Sequence, residues 1–321
     1  MHPSGLYEKE ICNITTEAIA DLDYQERKEK EMRSYLFVPG DSIKKLDKAI
    51  TSGADVVLID LEDSVAQSNK QSARETTANF LRAHASTQDR PRLYVRVNAL
   101  DTELTDDDLH AVIPAGPDGI MLPKSISGHN VTALDVKLQA CEAVSGLPQG
   151  QIDIIIVATE TAASIFNLGT YADTSPRLVA MTWGAEDLSA DLGAESNKDE
   201  QGNLTSPYRL VRDLCLIGAT AAGIQPVDAV YTNYRDLDGL RHEATNARRD
   251  GFTGKMAIHP AQIPVINDVF TPDPETVERA RKIVEAFKQA GDAGVVGLDG
   301  EMLDRPHLRR AEITLTRWKN K

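Results

Sequence analysis

The sequence predicts a (β/α)8 barrel with a helical arm before it and a helical lid after it, and three observations carry the prediction. Eight short runs rich in Val, Ile and Leu recur along the chain, as strands covered on both faces should. Stretches with helical spacing lie between them. The alternation is completed within about 230 residues, the size and repeat of such a barrel. A doubly wound sheet is the alternative arrangement of the same units.

The strand candidates are residues 35–38, 56–60, 93–97, 119–122, 152–157, 178–182, 229–231 and 255–258. Helical spacing follows the first at 42–49 and the second at 69–84. After the third, Thr105-Asp106-Asp107-Asp108 resembles a capping box at a solvated helix start. Residues 131–143, 161–171, 206–222 and 237–249 continue the pattern. The alternation stops after His259-Pro260. One amphipathic helix over 274–290 and a glycine-rich stretch (Gly291, Gly294, Gly297, Gly300) lead into a C-terminal segment, read as a lid with a glycine hinge. The expected organisation is a charged helical arm over 1–31, a barrel over 32–270 and a helical lid over 271–321.

Composition narrows the function classes. The chain has 321 residues, 41% of them hydrophobic, so a packed core is expected rather than disorder. With 35 Lys and Arg against 49 Asp and Glu, the net charge is −14. Such a surface repels phosphate backbones and anionic lipid, so neither nucleic acid nor a membrane is an expected partner. An anionic substrate must then meet a local positive pocket. The longest aliphatic run, residues 154–158, is too short to span a bilayer, and the amino terminus lacks the plan of a signal peptide. Cys12, Cys141 and Cys215 fit neither a disulfide framework nor a zinc motif. A cytoplasmic location is the expectation.

In a barrel the chemistry sits where strands run into the loops that follow them. The first strand ends at Phe37-Val38-Pro39-Gly40, and the next helix carries Lys44 and Lys48 on one face. The second ends with three carboxylates, Asp60, Glu62 and Asp63. The third places Arg96 in an apolar alternation, and the fourth ends at Pro123-Lys124. The fifth and sixth end at Glu160 and at Trp183-Gly184-Ala185-Glu186-Asp187, and the eighth at Ile258-His259. Glu160 and Asp187 on adjacent strands could clamp a hard cation such as Mg²⁺, or could simply cap the helices that follow. Arg96 is equally a buried partner of Asp60 or Glu62 and an anion binder, since a buried guanidinium needs a partner either way. His84, His110, His129 and His242 lack ligand spacing and read as surface residues.

Taken together, Arg33-Ser34-Tyr35-Leu36-Phe37-Val38-Pro39-Gly40, Leu58-Ile59-Asp60-Leu61-Glu62-Asp63-Ser64-Val65, Val95-Arg96-Val97-Asn98, Met121-Leu122-Pro123-Lys124, Trp183-Gly184-Ala185-Glu186-Asp187-Leu188 and Ala257-Ile258-His259-Pro260 resemble the citrate lyase β-subunit family of the aldolase and citrate lyase superfamily. The likeness runs over residues 32–310 in the family's order. It implies a Mg²⁺-dependent (β/α)8 barrel that cleaves or forms a C–C bond in 3-hydroxyacyl thioesters such as malyl-, citramalyl- or citryl-CoA. By resemblance, Glu160 and Asp187 are the metal ligands, with Glu160 also touching substrate, and Arg96 binds substrate oxygens. Phe37, Lys44, Lys48, Ile258 and His259 fall where coenzyme A is held. Asp304, in Met302-Leu303-Asp304-Arg305-Pro306, matches an acidic catalytic residue on a lid that reaches a neighbouring subunit, which implies a homo-oligomer, a trimer or hexamer. One departure stands out: Ala163 and Ser164 follow Glu160-Thr161-Ala162 where many relatives carry Arg-Gly.

The chemistry expected is a retro-Claisen cleavage to acetyl-CoA and a 2-oxo acid. A cation chelated by the substrate's oxygens lowers the pKa of the 3-hydroxyl, and Arg96 stabilises charge developing on oxygen. In the condensation direction a carboxylate, Asp304, takes a proton from the thioester's methyl carbon. Two alternatives share the site: a thioesterase that directs water at the thioester carbonyl, and a β-subunit of a citrate lyase complex acting on a carrier-protein thioester.

Overall fold

The computed structural model describes residues 32–87 and 89–319; the arm expected over residues 1–31, with Cys12, lies outside the described residues. The described chain falls into two compact units, Met32–Phe270 and the residues from Thr271 on.

In the first unit, eight parallel strands hydrogen-bond in sequence order: β1 Ser34–Pro39, β2 Val56–Asp60, β3 Arg92–Arg96, β4 Gly119–Leu122, β5 Asp153–Val157, β6 Leu178–Thr182, β7 Gln225–Asp228 and β8 Gly254–Ala257. β8 pairs back onto β1, Ser34 against Lys255 and Leu36 against Ala257, so the sheet is a closed barrel and not a doubly wound sheet. The helices around it are α1 Ile43–Ala49, α2 Lys70–His84, α3 Leu104–Val112, α4 Gly128–Ser145, α5 Ala162–Ile165, α6 Ala185–Leu192, α7 Ser206–Ala221, α8 Leu237–Asp250 and α9 Ile263–Phe270. Among the described residues no helix is long and apolar enough to cross a membrane.

The strands are apolar on both faces because each face meets a different core. Tyr35, Val56, Leu58, Tyr94, Met121, Ile155, Val157 and Met256 fill the barrel interior. The alternate residues, among them Leu36, Val57, Ile59, Val95, Ile120, Ile154 and Ile156, pack outward under the helices. At the amino-terminal end of the strands the interior is polar but paired: the Tyr94 hydroxyl donates to Asp153 at 2.8 Å, and Arg92 approaches the same carboxylate at 3.2 Å. Gly119 is required beside them, since a Cβ there would lie 2.2 Å from the Tyr94 ring.

Several sequence expectations need correction. The seventh strand is Gln225–Asp228, and 229–231 is the loop after it. Polar Gln225 and Pro226 disguise it, although the Gln225 side chain is tied to both main-chain groups of Met32 and the Pro226 carbonyl accepts from Thr253 N–H at 3.0 Å. The expected capping box is absent. Thr105 lies inside α3 and its hydroxyl donates to the carbonyls of Asn98 and Ala99, while Asp108 is fully buried between Arg74 and Asn98 rather than solvated. The helix expected over 161–171 shrinks to α5 and a 3₁₀ turn at Leu168–Thr170, because Thr161, Ser164 and Asn167 side chains bond local main chain and compete with the helix ladder.

The second unit holds α10 Pro274–Gln289, capped by Asp273 accepting from Thr276 N–H at 2.8 Å, an antiparallel hairpin of β9 Val295–Leu298 and β10 Glu301–Asp304, and α11 Arg305–Lys319. Of the four glycines, Gly297 and Gly300 belong to this hairpin, and Gly291 and Gly294 precede it. Asp299 and Gly300 take φ of 51° and 84°, the two left-handed residues of a tight hairpin turn. Ala280, Ile283, Phe287, Val296, Leu303 and Ala311 give this unit a small core of its own.

Candidate active site

The carboxyl ends of the strands open onto a cavity of about 1010 Å³ lined by Phe37, Arg96, Glu160, Trp183 and Asp187. Phe37, Arg96, Glu160 and Asp187, the four of these to which the sequence assigned roles, therefore meet in one place.

Glu160 follows β5 and is 4% exposed. It is not a helix cap, since Thr161 caps α5 by accepting from Ser164 N–H at 3.3 Å. One oxygen of Glu160 accepts from the main-chain N–H of Lys124. Burial pushes the carboxyl up to about 8; the Lys124 N–H works against that rise, and the negative charges of Asp187 and Glu62 add to it. Asp187 lies in the first turn of α6, whose cap is Gly184, and its side chain is 39% exposed. Gly184 is shaped to Glu160: a Cβ there would fall 2.7 Å from Glu160 Cγ.

Arg96 projects from the end of β3. Its Nε and Nη2 donate to the two oxygens of Asp60, each at 2.7 Å, and Nη1 lies 3.1 Å from Glu62. Its guanidinium also stands 4.9 Å from the centre of the Phe37 ring. The buried-partner reading of Arg96 holds, and its side chain also lines the cavity. Burial opposes ionisation of Asp60, but the Arg96 hydrogen bonds outweigh it and hold the carboxyl below its ordinary value. Glu62 moves the other way: burial raises it against the pull of Arg96 and Lys124.

The remaining sequence candidates are not among the residues that line this cavity. Lys44 and Lys48 are exposed on α1. Ile258 and His259 are exposed after β8, where His259 Nδ1 accepts from Ala261 N–H and the ring stacks on Tyr234 at 4.8 Å. Asp304 ends β10 in the second unit, exposed and hydrogen-bonded to His307, which holds its carboxyl below the ordinary range. Of the four histidines read as surface residues, His84 is half-buried and its Nδ1 bonds the Phe80 carbonyl; the other three are exposed.

Two features went unread. Lys124 is the first, a residue with φ of 51° whose ammonium donates to Glu62 and lies 3.5 Å from Asp63 and 4.0 Å from Asp187. Its place after Pro123 at a strand end was the available signal. The second lies under the cavity. Buried Lys255 donates to Asp228 at 2.7 Å and to Glu243 at 2.8 Å, while Asp228 also accepts from Trp183 Nε1 at 2.8 Å. A lysine inside the apolar β8 was its only trace.

A hard divalent cation fits Glu160 and Asp187. Both are oxygen donors on adjacent strand ends, and burial together with the nearby charges of Asp187 and Glu62 raises the Glu160 carboxyl, a penalty that a bound cation would relieve. Among the described residues no three His, Cys, Asp or Glu form a metal cage, so a cation would need water or substrate oxygens as well, the usual habit of Mg²⁺.

A closed eight-stranded barrel with carboxylates and a guanidinium at the carboxyl ends of its strands has the layout of a barrel enzyme. The model of the HpcH/HpaI aldolase/citrate lyase family matches residues 33–260, and the chain belongs to that family. It is 34% identical over 295 residues to the citrate lyase subunit beta of Escherichia coli, covering 91% of this chain and 95% of that protein. It is 35% identical over 289 residues to a (3S)-malyl-CoA thioesterase of Cereibacter sphaeroides, covering 89% and 94%. Among solved structures, CitE of Mycobacterium tuberculosis in complex with magnesium, acetoacetate and coenzyme A superposes with a TM-score of 0.72 at 33% identity, covering 91% of this chain and 99% of that one.

Proposed function

We propose that this protein is a Mg²⁺-dependent lyase that cleaves, or in reverse forms, the C–C bond of a 3-hydroxyacyl-CoA thioester, giving acetyl-CoA and a 2-oxo acid. The observation that carries the reading is the buried Glu160 beside Asp187, facing the same cavity as Arg96. The magnesium and coenzyme A of the CitE complex support it. Mg²⁺ would be held by Glu160 and Asp187 and would supply Lewis acidity toward the substrate's oxygens. Arg96, fixed by Asp60, is preorganised to stabilise negative charge that builds on oxygen as the bond breaks. Glu160 is held in place by the Lys124 N–H and by Gly184. Asp304 is assigned the proton of the thioester's methyl carbon in the condensation direction, acting on a neighbouring subunit of a homo-oligomer. Lys44, Lys48, Phe37, Ile258 and His259 are assigned to coenzyme A.

Hydrolysis of the same thioester is the second reading, favoured by the likeness to a malyl-CoA thioesterase. The test is incubation with malyl-, citramalyl- and citryl-CoA plus Mg²⁺, with products identified by mass. Acetyl-CoA with a 2-oxo acid supports the lyase. Free coenzyme A with the intact hydroxy acid selects the thioesterase, and turnover only on a carrier-protein thioester selects a subunit of a larger lyase.

A further inference from the structure

Lys124 stands where three strand-end loops meet. Its main-chain N–H donates to Glu160, and its ammonium donates to Glu62 and lies within ion-pair reach of Asp63 and Asp187. The left-handed backbone at φ 51° sets where that side chain starts, and the contact to buried Glu62 holds its ammonium among these carboxylates. It can still shift among them, because the Lys124 side chain is 32% exposed and that of Asp63 is 55% exposed. The contact to Asp187, at 4.0 Å, is the longest of the three.

We propose that Lys124 is a positioning residue that serves as the resident counter-cation of the carboxylate pair, competing with the divalent cation for Asp187 and keeping cation binding weak. The inference rests on Glu160 and Asp187 being the metal ligands. With the site empty of metal, the ammonium neutralises carboxylates that would otherwise repel one another. A divalent cation arriving at Asp187 meets the positive charge of Lys124 a few ångströms away, and the ammonium relaxes toward Glu62 and Asp63. At such distances, even with the full screening of bulk water, one unit charge changes the affinity of a dication by at least about tenfold. Cation binding is therefore sensitive to whatever anionic oxygens the substrate adds, since these offset the repulsion.

The experiment measures Mn²⁺ affinity of the full-length protein by the loss of the free-ion electron paramagnetic resonance signal, with no substrate and no turnover. Wild type, Lys124→Met, Lys124→Arg and Asp187→Ala are compared. The expected result is Mn²⁺ binding about tenfold tighter in Lys124→Met, near wild type in Lys124→Arg, and lost in Asp187→Ala. A merely structural lysine predicts equal or weaker binding in Lys124→Met, and that result overturns the inference while leaving the metal ligands standing. Wild-type-like binding in Asp187→Ala, or none in both the wild type and Lys124→Met, overturns the ligand assignment and the inference with it. If Lys124→Met does not fold, the pair Lys124→Met with Glu62→Gln removes the buried charge that the ammonium neutralises. That pair gives the same reading against Glu62→Gln alone.

Discussion

Replacing Gly184 with Ala tests how tightly the site is held. Gly184 has φ −120° and ψ 112°, angles open to any residue, so the change brings no backbone strain. Its whole effect comes from one methyl group. That carbon would lie 2.7 Å from Glu160 Cγ and 3.4 Å from Val157 Cγ1, where carbon atoms prefer about 3.5–4.0 Å. Roughly 1 Å must be found. Glu160 cannot retreat cheaply, because it is buried and tied to the Lys124 N–H. Breaking that hydrogen bond costs between about 0.5 and 3 kcal/mol depending on the carboxyl's charge, and overpacking of this kind costs about 1–3 kcal/mol. A catalytic group displaced by about 1 Å loses on the order of a hundredfold in rate. Gly184→Ala should therefore lose about 1–3 kcal/mol of stability in urea unfolding and fall about a hundredfold in kcat/KM. The reasoning is refuted by a Gly184→Ala protein that keeps wild-type kcat/KM and Mn²⁺ affinity.

Other expectations follow from named contacts. Lys44→Ala with Lys48→Ala should raise KM for the thioester with little change in kcat, the mark of uniform binding; a large kcat loss at constant KM would place the lysines in the chemistry. The Asp60–Arg96 pair should shape acid unfolding. Because the folded pKa of Asp60 is depressed, its stabilisation is present above the ordinary value of 3.8 and is lost as pH falls through the folded value. Urea midpoints of wild type and Asp60→Asn should converge below pH 3.8, and a gap that stays constant there contradicts the pair's role. Asp187→Ala and Asp304→Ala should each be inactive, yet subunit exchange between them should restore about a quarter of the sites if the lid residue acts on a neighbour. Confirmed exchange without any recovered activity would confine Asp304 to its own subunit.

Much of this molecule can be read from its residues, and what cannot has physical causes. Runs such as Val56-Val57-Leu58-Ile59 announce a strand buried on both faces, and seven of the eight strands are legible this way. The seventh is hidden because its value to the barrel lies in polar bonds, Gln225 to Met32 and Asp228 to Lys255, which hydrophobic periodicity does not register. The Asp299-Gly300 hairpin was available as a turn signal but was masked by the glycines around it. At the site, the strand-end rule finds Arg96, Glu160 and Asp187. It cannot say that Asp60 grips Arg96 with two bonds or that Lys124 touches three loops, since those partnerships are distant in sequence and are set by the closure of the barrel.

That closure has a further consequence at the seam between β1 and β8. Gly254 lies there with no room for a side chain, since a Cβ would come within 2.5 Å of the Met32 carbonyl. Main chain from both ends of the barrel sequence is pressed together, Tyr35 opposite Met256. A chain beginning beyond β1 would do more than forfeit one strand. β2 and β8 would each present a row of bare N–H and C=O groups, and such edges pair readily with another molecule. In this barrel each strand is its neighbours' protection against aggregation, and the six residues of β1 guard two edges at once.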